Sequence, residues 1–147
     1  KINTLGVEPS SNVAKIAKKK GIRTTNSFFT YETAKKFKKL KKKTDIICAA
    51  NVICHVPNLP NLIRGINHLL NNKGLFIFEE PYLGSMYEKT SYDQIYDEHI
   101  FMFSVSSIMK IFKLYGSICL RGRFCMPARR QNCTSNTSTD TVLLCQW

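Results

Sequence analysis

The sequence predicts an α/β fold in which a mostly parallel sheet carries helices on both faces. One observation is that short apolar runs alternate with segments of helical periodicity through residue 116. A second is that residues 44–51 and 75–78 contain almost unbroken apolar runs, which are typical of strands covered on both faces. Strands that alternate with helices are expected to join through right-handed crossovers, and such connections make the strands parallel.

Turn and capping residues separate the predicted elements. Ser10 or Ser11 can cap the first helix, Gly21 can end it, and Asn71–Gly74 can turn the chain before the fourth strand. The predicted elements are, in chain order, strand 4–8, helix 10–20, strand 22–25, helix 31–40, strand 44–51, a helix that follows Pro60, strand 75–78 and helix 106–115.

Composition indicates one globular domain without a membrane span. The 147 residues are 44% hydrophobic, and no apolar run is long enough to cross a bilayer. The formal charge of +12 suggests nucleic-acid binding, but the lysines cluster at the ends of predicted helices, where the helix dipole favours cations. We therefore predict neither a nucleic-acid partner nor a membrane partner.

The cysteines do not suggest a metal site. None of the six cysteines has the CxxC or Cys/His spacing of a zinc ligand set, so we predict no metal ligands. Cys48 and Cys54 are interpreted as small buried apolar residues, which fits a reducing, cytoplasmic setting.

The composition changes abruptly near residue 117. Lys is absent beyond Lys113, and four of the six cysteines follow Gly116. We predict a domain at residues 1–116 and an irregular tail at 117–147, which arises from a frame error or an unrelated extension. A divergent but genuine tail is the alternative.

Polar residues follow three of the predicted strands. Glu8 ends the first strand, Asn51 and His55 follow the strand at 44–51, and Glu79–Glu80 follow the strand at 75–78. Ligands of parallel α/β sheets bind beyond the carboxyl ends of the strands. These residues are therefore predicted to line one cleft, in which an acid such as Glu8 can accept hydrogen bonds from a ribose diol.

The densest polar cluster is Tyr96-Asp97-Glu98-His99. Histidine moves protons near neutral pH, a neighbouring carboxylate can stabilise its charged form, and a tyrosine hydroxyl can donate to a reacting oxygen. Such a group suits proton abstraction, although a polar loop with a hydrogen-bonded histidine is the structural alternative.

Three segments together resemble a known enzyme family. They are GVEPSSNVAKIAKKKGI, AANVICHVPNL and NKGLFIFEEPYLGSMYEKTSYDQIYDEHIFMFS. The chain from about Leu5 to Tyr115 resembles the sugar C-methyltransferases, class I enzymes that use S-adenosylmethionine to methylate nucleotide-linked keto-deoxysugars. The resemblance implies a partial Rossmann-like class I methyltransferase fold.

The resemblance also implies roles for individual residues. His99 would be the base that removes the proton beside the ketone, with Tyr96 and Glu98 as its catalytic companions. The expected cofactor-binding residues are Glu8, Pro9, Phe28, Phe29 and Asn51, and the expected substrate-binding residues are His55, Glu80 and Tyr82. Either Phe28 or Phe29 would lie against the adenine.

The chain departs from the family pattern at its beginning. A Cys-rich zinc module and a Gly-rich strand-turn-helix would both lie before Lys1, so the first strand and the Gly-rich loop are expected to be missing. We therefore expect this chain alone to bind S-adenosylmethionine weakly or not at all and to be inactive. Two other readings remain: a methyltransferase with another acceptor, including O-methylation, or a non-catalytic basic module that binds nucleic acid.

Overall fold

The computed structural model describes residues 2–38, 43–115 and 140–145. Short 3₁₀ turns at Ile53–His55 and Tyr92–Gln94 connect larger elements. The helices and strands are, in chain order, β1 (Asn3–Val7), α1 (Ser11–Lys19), β2 (Thr24–Thr25), α2 (Tyr31–Lys38), β3 (Thr44–Ala50), α3 (Leu59–Leu69), β4 (Leu70–Glu79), α4 (Leu83–Lys89), α5 (Val105–Tyr115) and β5 (Asp140–Cys145).

All strand pairs of the sheet are parallel, and the strand order is β2-β1-β5-β3-β4. The prediction of a parallel α/β fold is therefore confirmed. β5 occupies the central position, where Val142 is aligned with Leu5 of β1 on one side and with Ile47 of β3 on the other. β5 therefore lies between β1 and β3.

The position of β5 corrects one part of the tail prediction. Residues 117–147 were expected to be irregular, but Asp140–Cys145 form a strand because a β-branched and apolar run, Thr141-Val142-Leu143-Leu144, has a high strand propensity. Residues 116–139, 146 and 147 lie outside the described residues, so the origin of the tail stays a prediction.

Helices α2, α3 and α5 form the main core with the sheet. Asn58 caps α3, since its side chain accepts a hydrogen bond from the backbone N–H of Asn61, and Pro60 lies in the first turn. The apolar face of α3 is buried. Phe112 of α5, which is only 1% exposed, packs against Phe76 and Phe78 of β4.

Several element boundaries differ from the predicted ones. The second strand is limited to Thr24–Thr25. Asn71–Gly74 were predicted as a turn, but they lie within β4. Thr44 of β3 is aligned with Leu70 and Ile46 with Leu75, so the pairing skips these four residues. Gly21 has a positive φ of 78° and ends α1 as predicted. In the part of the chain that the structure describes, no helix combines the length and apolarity needed to cross a membrane.

The parallel topology brings the polar strand ends to one edge of the sheet. Glu8 follows β1, Asn51 follows β3 and Glu80 follows β4, and the backbone N–H of Asn51 donates to the carbonyl of Glu79 across the last pair. The carboxyl edge of the sheet is therefore where a ligand-binding site is expected.

A proline at position 142 tests the central position of β5. We expect Val142→Pro to lower the free energy of unfolding by about 1–3 kcal/mol, because a central strand would lose a ladder hydrogen bond and leave a buried partner unpaired. Val142→Thr, which keeps the N–H and the branched side chain, is the matched control. Urea denaturation of the full chain measures both, and equal stabilities would contradict the central placement.

Candidate active site

A pocket of about 600 Å³ opens at the carboxyl edge of β3 and β4. Its wall comes from the loop after β3 and from the segment that follows the Tyr92–Gln94 turn. The lining residues are Asn51, His55, Pro81, Gln94, Tyr96, Asp97, Glu98, His99 and Ile100. Of the sequence-predicted site residues, the structure thus brings Asn51, His55, Tyr96, Glu98 and His99 together.

The carboxylate of Glu80 shapes the loop that carries His55. Its Oε1 accepts hydrogen bonds from the backbone N–H groups of Val52 and Ile53, at 2.9 and 2.7 Å, and its Oε2 accepts one from Cys54 at 3.1 Å. These are orphan donors at the start of the 3₁₀ turn, and an acceptor is needed because Val52, Ile53 and Cys54 are buried. Glu80 was predicted to bind substrate, whereas its carboxylate is used here to hold the turn.

The residue before this turn has an unusual backbone conformation. Asn51 lies in the left-handed region with φ 51°, which asparagine tolerates better than most residues because its short side chain hydrogen-bonds locally. Strained conformations of this kind are concentrated at ligand-binding sites. The turn directs the chain from β3 into the wall of the pocket.

His55 and His99 face each other with their ring centroids 4.9 Å apart. Nδ1 of His55 lies 2.6 Å from the carbonyl oxygen of Glu98, and Nδ1 of His99 lies 2.8 Å from that of Gln94. A carbonyl oxygen only accepts hydrogen bonds, so Nδ1 carries a proton in both rings. In each neutral ring Nε2 therefore holds the lone pair.

Tyr96 is the hydrogen-bond partner of that lone pair in His99. The Tyr96 hydroxyl lies 2.7 Å from His99 Nε2, and the ring centroids are 4.0 Å apart. A tight turn produces this contact, since the backbone N–H of His99 donates to the carbonyl of Tyr96. Glu98 contributes its backbone carbonyl to His55, and its side chain is exposed.

Cys54 lies beside the two histidines, and one ligand atom from each of the three residues lies within 4.8 Å of the others. Burial and the nearby Glu80 carboxylate raise the pKa of the Cys54 thiol to about 12. The thiol is therefore neutral near pH 7, and it is not a ready nucleophile. The prediction that Cys54 is a small buried residue is confirmed, whereas Cys48 is only partly buried.

Glu8 lies beyond β1 and is 2% exposed. Its Oε1 accepts a hydrogen bond from the backbone N–H of Ser10 at 2.7 Å. Oε2 is buried, and the described part of the chain gives it no hydrogen-bond partner. Buried polar atoms are normally paired, so Oε2 is a free acceptor for a ligand hydroxyl group.

Asn26 also holds the loop around Glu8. The side-chain amide of Asn26 donates to the carbonyl oxygens of Glu8 and Pro9, so Pro9 contributes through its backbone. Of the two aromatic candidates nearby in sequence, Phe29 is part of the core and Phe28 is 65% exposed. Phe28 is therefore the one that is available to a ligand.

Three further aromatic or histidine residues can be placed. Tyr82 is partly exposed and forms a β-bridge with Phe103, but it does not line the pocket. Tyr87 is 85% exposed. His68 lies in α3 with its ring edge-on to Tyr31.

Two contributors to the site escaped the sequence analysis. Gln94 acts through its backbone carbonyl, which fixes the tautomer of His99, and a backbone role leaves no signal in the residue type. The side chain of Asn26 donates to the Glu8 carbonyl. An asparagine in a loop often hydrogen-bonds to nearby backbone, but the residue type does not reveal which backbone group it contacts.

Two comparisons with known proteins identify the family of this chain. A family described as "Methyltransferase domain" matches residues 1–117. The chain belongs to this methyltransferase domain family. It is also 29% identical over 112 residues to the protein named "C-methyltransferase NovU" from Streptomyces niveus. That match covers 76% of this chain and 27% of the relative, so the chain spans about a quarter of the relative's length.

Substitution of Glu80 tests its role in the methyltransferase domain. We expect Glu80→Gln to lower the free energy of unfolding by about 1–3 kcal/mol, because an amide offers one acceptor oxygen in place of two and leaves buried N–H groups unpaired. Glu79→Gln is the matched control, since Glu79 is exposed at the same strand end and such changes usually stay within about 0.5 kcal/mol. If both variants unfold at the same urea concentration, Glu80 does not hold the turn.

Proposed function

We propose that this chain is the catalytic part of an S-adenosylmethionine-dependent C-methyltransferase that acts on the carbon beside the ketone of a nucleotide-linked deoxysugar. The observation that carries the proposal is the contact between the Tyr96 hydroxyl and His99 Nε2 at the wall of the pocket. It supplies a base and a hydrogen-bond donor side by side, as enolate formation requires.

His99 would be the base. When a ketone enters the pocket, Tyr96 turns its hydroxyl from His99 to the ketone oxygen, and Nε2 is left with a free lone pair. Nε2 then takes the proton from the adjacent carbon, and the C–H electrons move to the ketone oxygen. The resulting imidazolium is held by its Nδ1–H bond to the Gln94 carbonyl, and the enolate oxygen is stabilised by Tyr96.

The site around Glu8 fits the cofactor. S-adenosylmethionine supplies an electrophilic methyl group to the enolate carbon. The unpaired, buried Oε2 of Glu8 offers an acceptor for a ribose hydroxyl, and the exposed Phe28 ring offers a face for the adenine. Asn51 lines the pocket, so it would contact the methionine end of the cofactor where the methyl group meets the acceptor.

The character of the pocket supports a sugar as the acceptor. Among its described lining residues, Asp97 and Glu98 are the charged side chains and no Lys or Arg occurs. Carboxylates and amides bind sugar hydroxyl groups, whereas a diphosphate needs cationic or backbone N–H donors. The sugar ring would therefore occupy this pocket, and the diphosphate would be bound outside it. The relative is named for C-methylation, which favours carbon over oxygen as the acceptor. The expected cytoplasmic location stays a prediction.

Hydrogen exchange at the acceptor carbon tests the base. In deuterated buffer, a preparation of the enzyme that is active in methyl transfer should wash deuterium into the carbon beside the ketone of a nucleotide-linked keto-deoxysugar. His99→Asn should slow this exchange by about 10²–10⁴-fold, the usual contribution of a general base. Tyr96→Phe should slow it as well, because the enolate oxygen loses its donor. Mass spectrometry measures the exchange. Exchange at the wild-type rate in His99→Asn would show that His99 is not the base.

Cofactor titration tests Glu8. We expect Glu8→Gln to weaken the binding of S-adenosylhomocysteine by about 1–3 kcal/mol, because the single amide oxygen is needed by the Ser10 N–H and the ribose hydroxyl loses the Oε2 acceptor. Glu88→Gln, a change in an exposed residue of α4, is the matched control. Calorimetry on a preparation that binds the cofactor gives both affinities, and an unchanged value for Glu8→Gln would refute the ribose assignment.

A further inference from the structure

The three residues Cys54, His55 and His99 form a cluster of potential metal ligands beside the pocket. A thiol sulfur and two ring nitrogens, one from each residue, lie within 4.8 Å of one another. The sequence analysis predicted no metal site, because His99 is separated from the Cys54-His55 pair by 43 intervening residues and local spacing does not reveal such a cluster. The fold alone brings the three residues together.

The hydrogen bonds already present suit a metal site. In protein metal centres a ligating histidine commonly donates its second ring N–H to a backbone carbonyl or a carboxylate, which fixes the ring. His55 does so through Nδ1 to Glu98, and His99 does so through Nδ1 to Gln94. Both rings therefore have Nε2 as the atom available to a cation.

The donor set and the charges indicate which cation fits. One thiolate and two imidazoles favour Zn²⁺ over the harder cations Mg²⁺ and Ca²⁺, which prefer oxygen ligands. Glu80 lies next to Cys54, and Asp97 and Glu98 line the pocket with no Lys or Arg among its described lining residues. The local charge thus favours a cation.

We propose that Cys54, His55 and His99 bind one Zn²⁺ ion, with a fourth coordination position open to the pocket. Tetrahedral zinc with Zn–N bonds of about 2.0 Å and a Zn–S bond of about 2.3 Å needs ligand atoms about 3.3–3.6 Å apart. The ligand atoms, which lie within 4.8 Å of one another, must therefore draw together by at most about 1 Å. On binding, the Cys54 thiol releases its proton to solvent, and His99 exchanges its hydrogen bond to Tyr96 for the metal.

This site has a consequence for the reaction, which rests on the proposed function. Zinc on Nε2 of His99 would occupy the lone pair that accepts the substrate proton. Zinc would then inhibit methyl transfer, and a chelator would restore it. Metal binding itself needs neither cofactor nor acceptor, so it can be tested separately from the reaction.

Cobalt is the spectroscopic probe for this test, since Co²⁺ in a zinc site shows a thiolate charge-transfer band in the near ultraviolet. The background is the full chain with Cys119, Cys125, Cys133 and Cys145 changed to Ala, which leaves Cys48 and Cys54. We expect one Co²⁺ per chain, displaced by Zn²⁺. Cys54→Ser should abolish the charge-transfer band, and Cys48→Ser should preserve it.

The histidines give an independent test if Cys54→Ser does not fold. His55→Asn and His99→Asn change partly exposed residues, and each should weaken cobalt binding by more than the roughly 10–100-fold that loss of an outer-shell partner costs. His68→Asn is the control and should leave the affinity unchanged. Absence of cobalt binding in the background chain, or equal losses in the His99 and His68 variants, would overturn the proposal.

Discussion

The carboxylate of Glu80 is the constraint on which the described site depends. Three consecutive backbone N–H groups, from Val52 to Cys54, converge on it. Those groups are buried, so without an acceptor the turn would be costly. This turn sets the position of His55. Nδ1 of His55 donates to the Glu98 carbonyl and thereby anchors the segment that carries His99. One acid at the end of β4 thus connects both walls of the pocket.

The two histidines are oriented by backbone carbonyls and not by carboxylates. A carbonyl fixes the tautomer of a ring without adding a negative charge to it, unlike the His–carboxylate pairs of many proton-transfer sites. Glu98, which the sequence suggested as a companion of His99, supplies its main chain. The catalytic proposal and the metal proposal both follow from this arrangement, because each needs Nε2 as the free atom.

The sequence predicted the alternating elements because their apolar periodicity is strong, as in α3 and β3. The ends of parallel strands also predicted one cleft lined by Glu8, Asn51, His55 and Glu79–Glu80. Of these, Asn51 and His55 line the pocket. Tyr96 and His99 were assigned to the site by their polar cluster and by the family resemblance. Interactions through the backbone, such as the Gln94 carbonyl, could not be predicted from residue types. Strand β5 was missed because it has six residues and follows a polar, aperiodic run, so its apolar pattern is too short to identify a strand. Pairing with β1 and β3 decides whether such a segment becomes a strand.

The central position of β5 makes the sheet depend on contacts that are very distant along the chain. Asn3 is aligned with Asp140, and β3 pairs with the same strand. During synthesis, β1 and β3 emerge long before the strand that joins them, so the sheet can close only after residue 145 has been added. Contacts of such high sequence separation fold slowly, and the open edges of β1 and β3 would meanwhile be available to chaperones or to neighbouring chains.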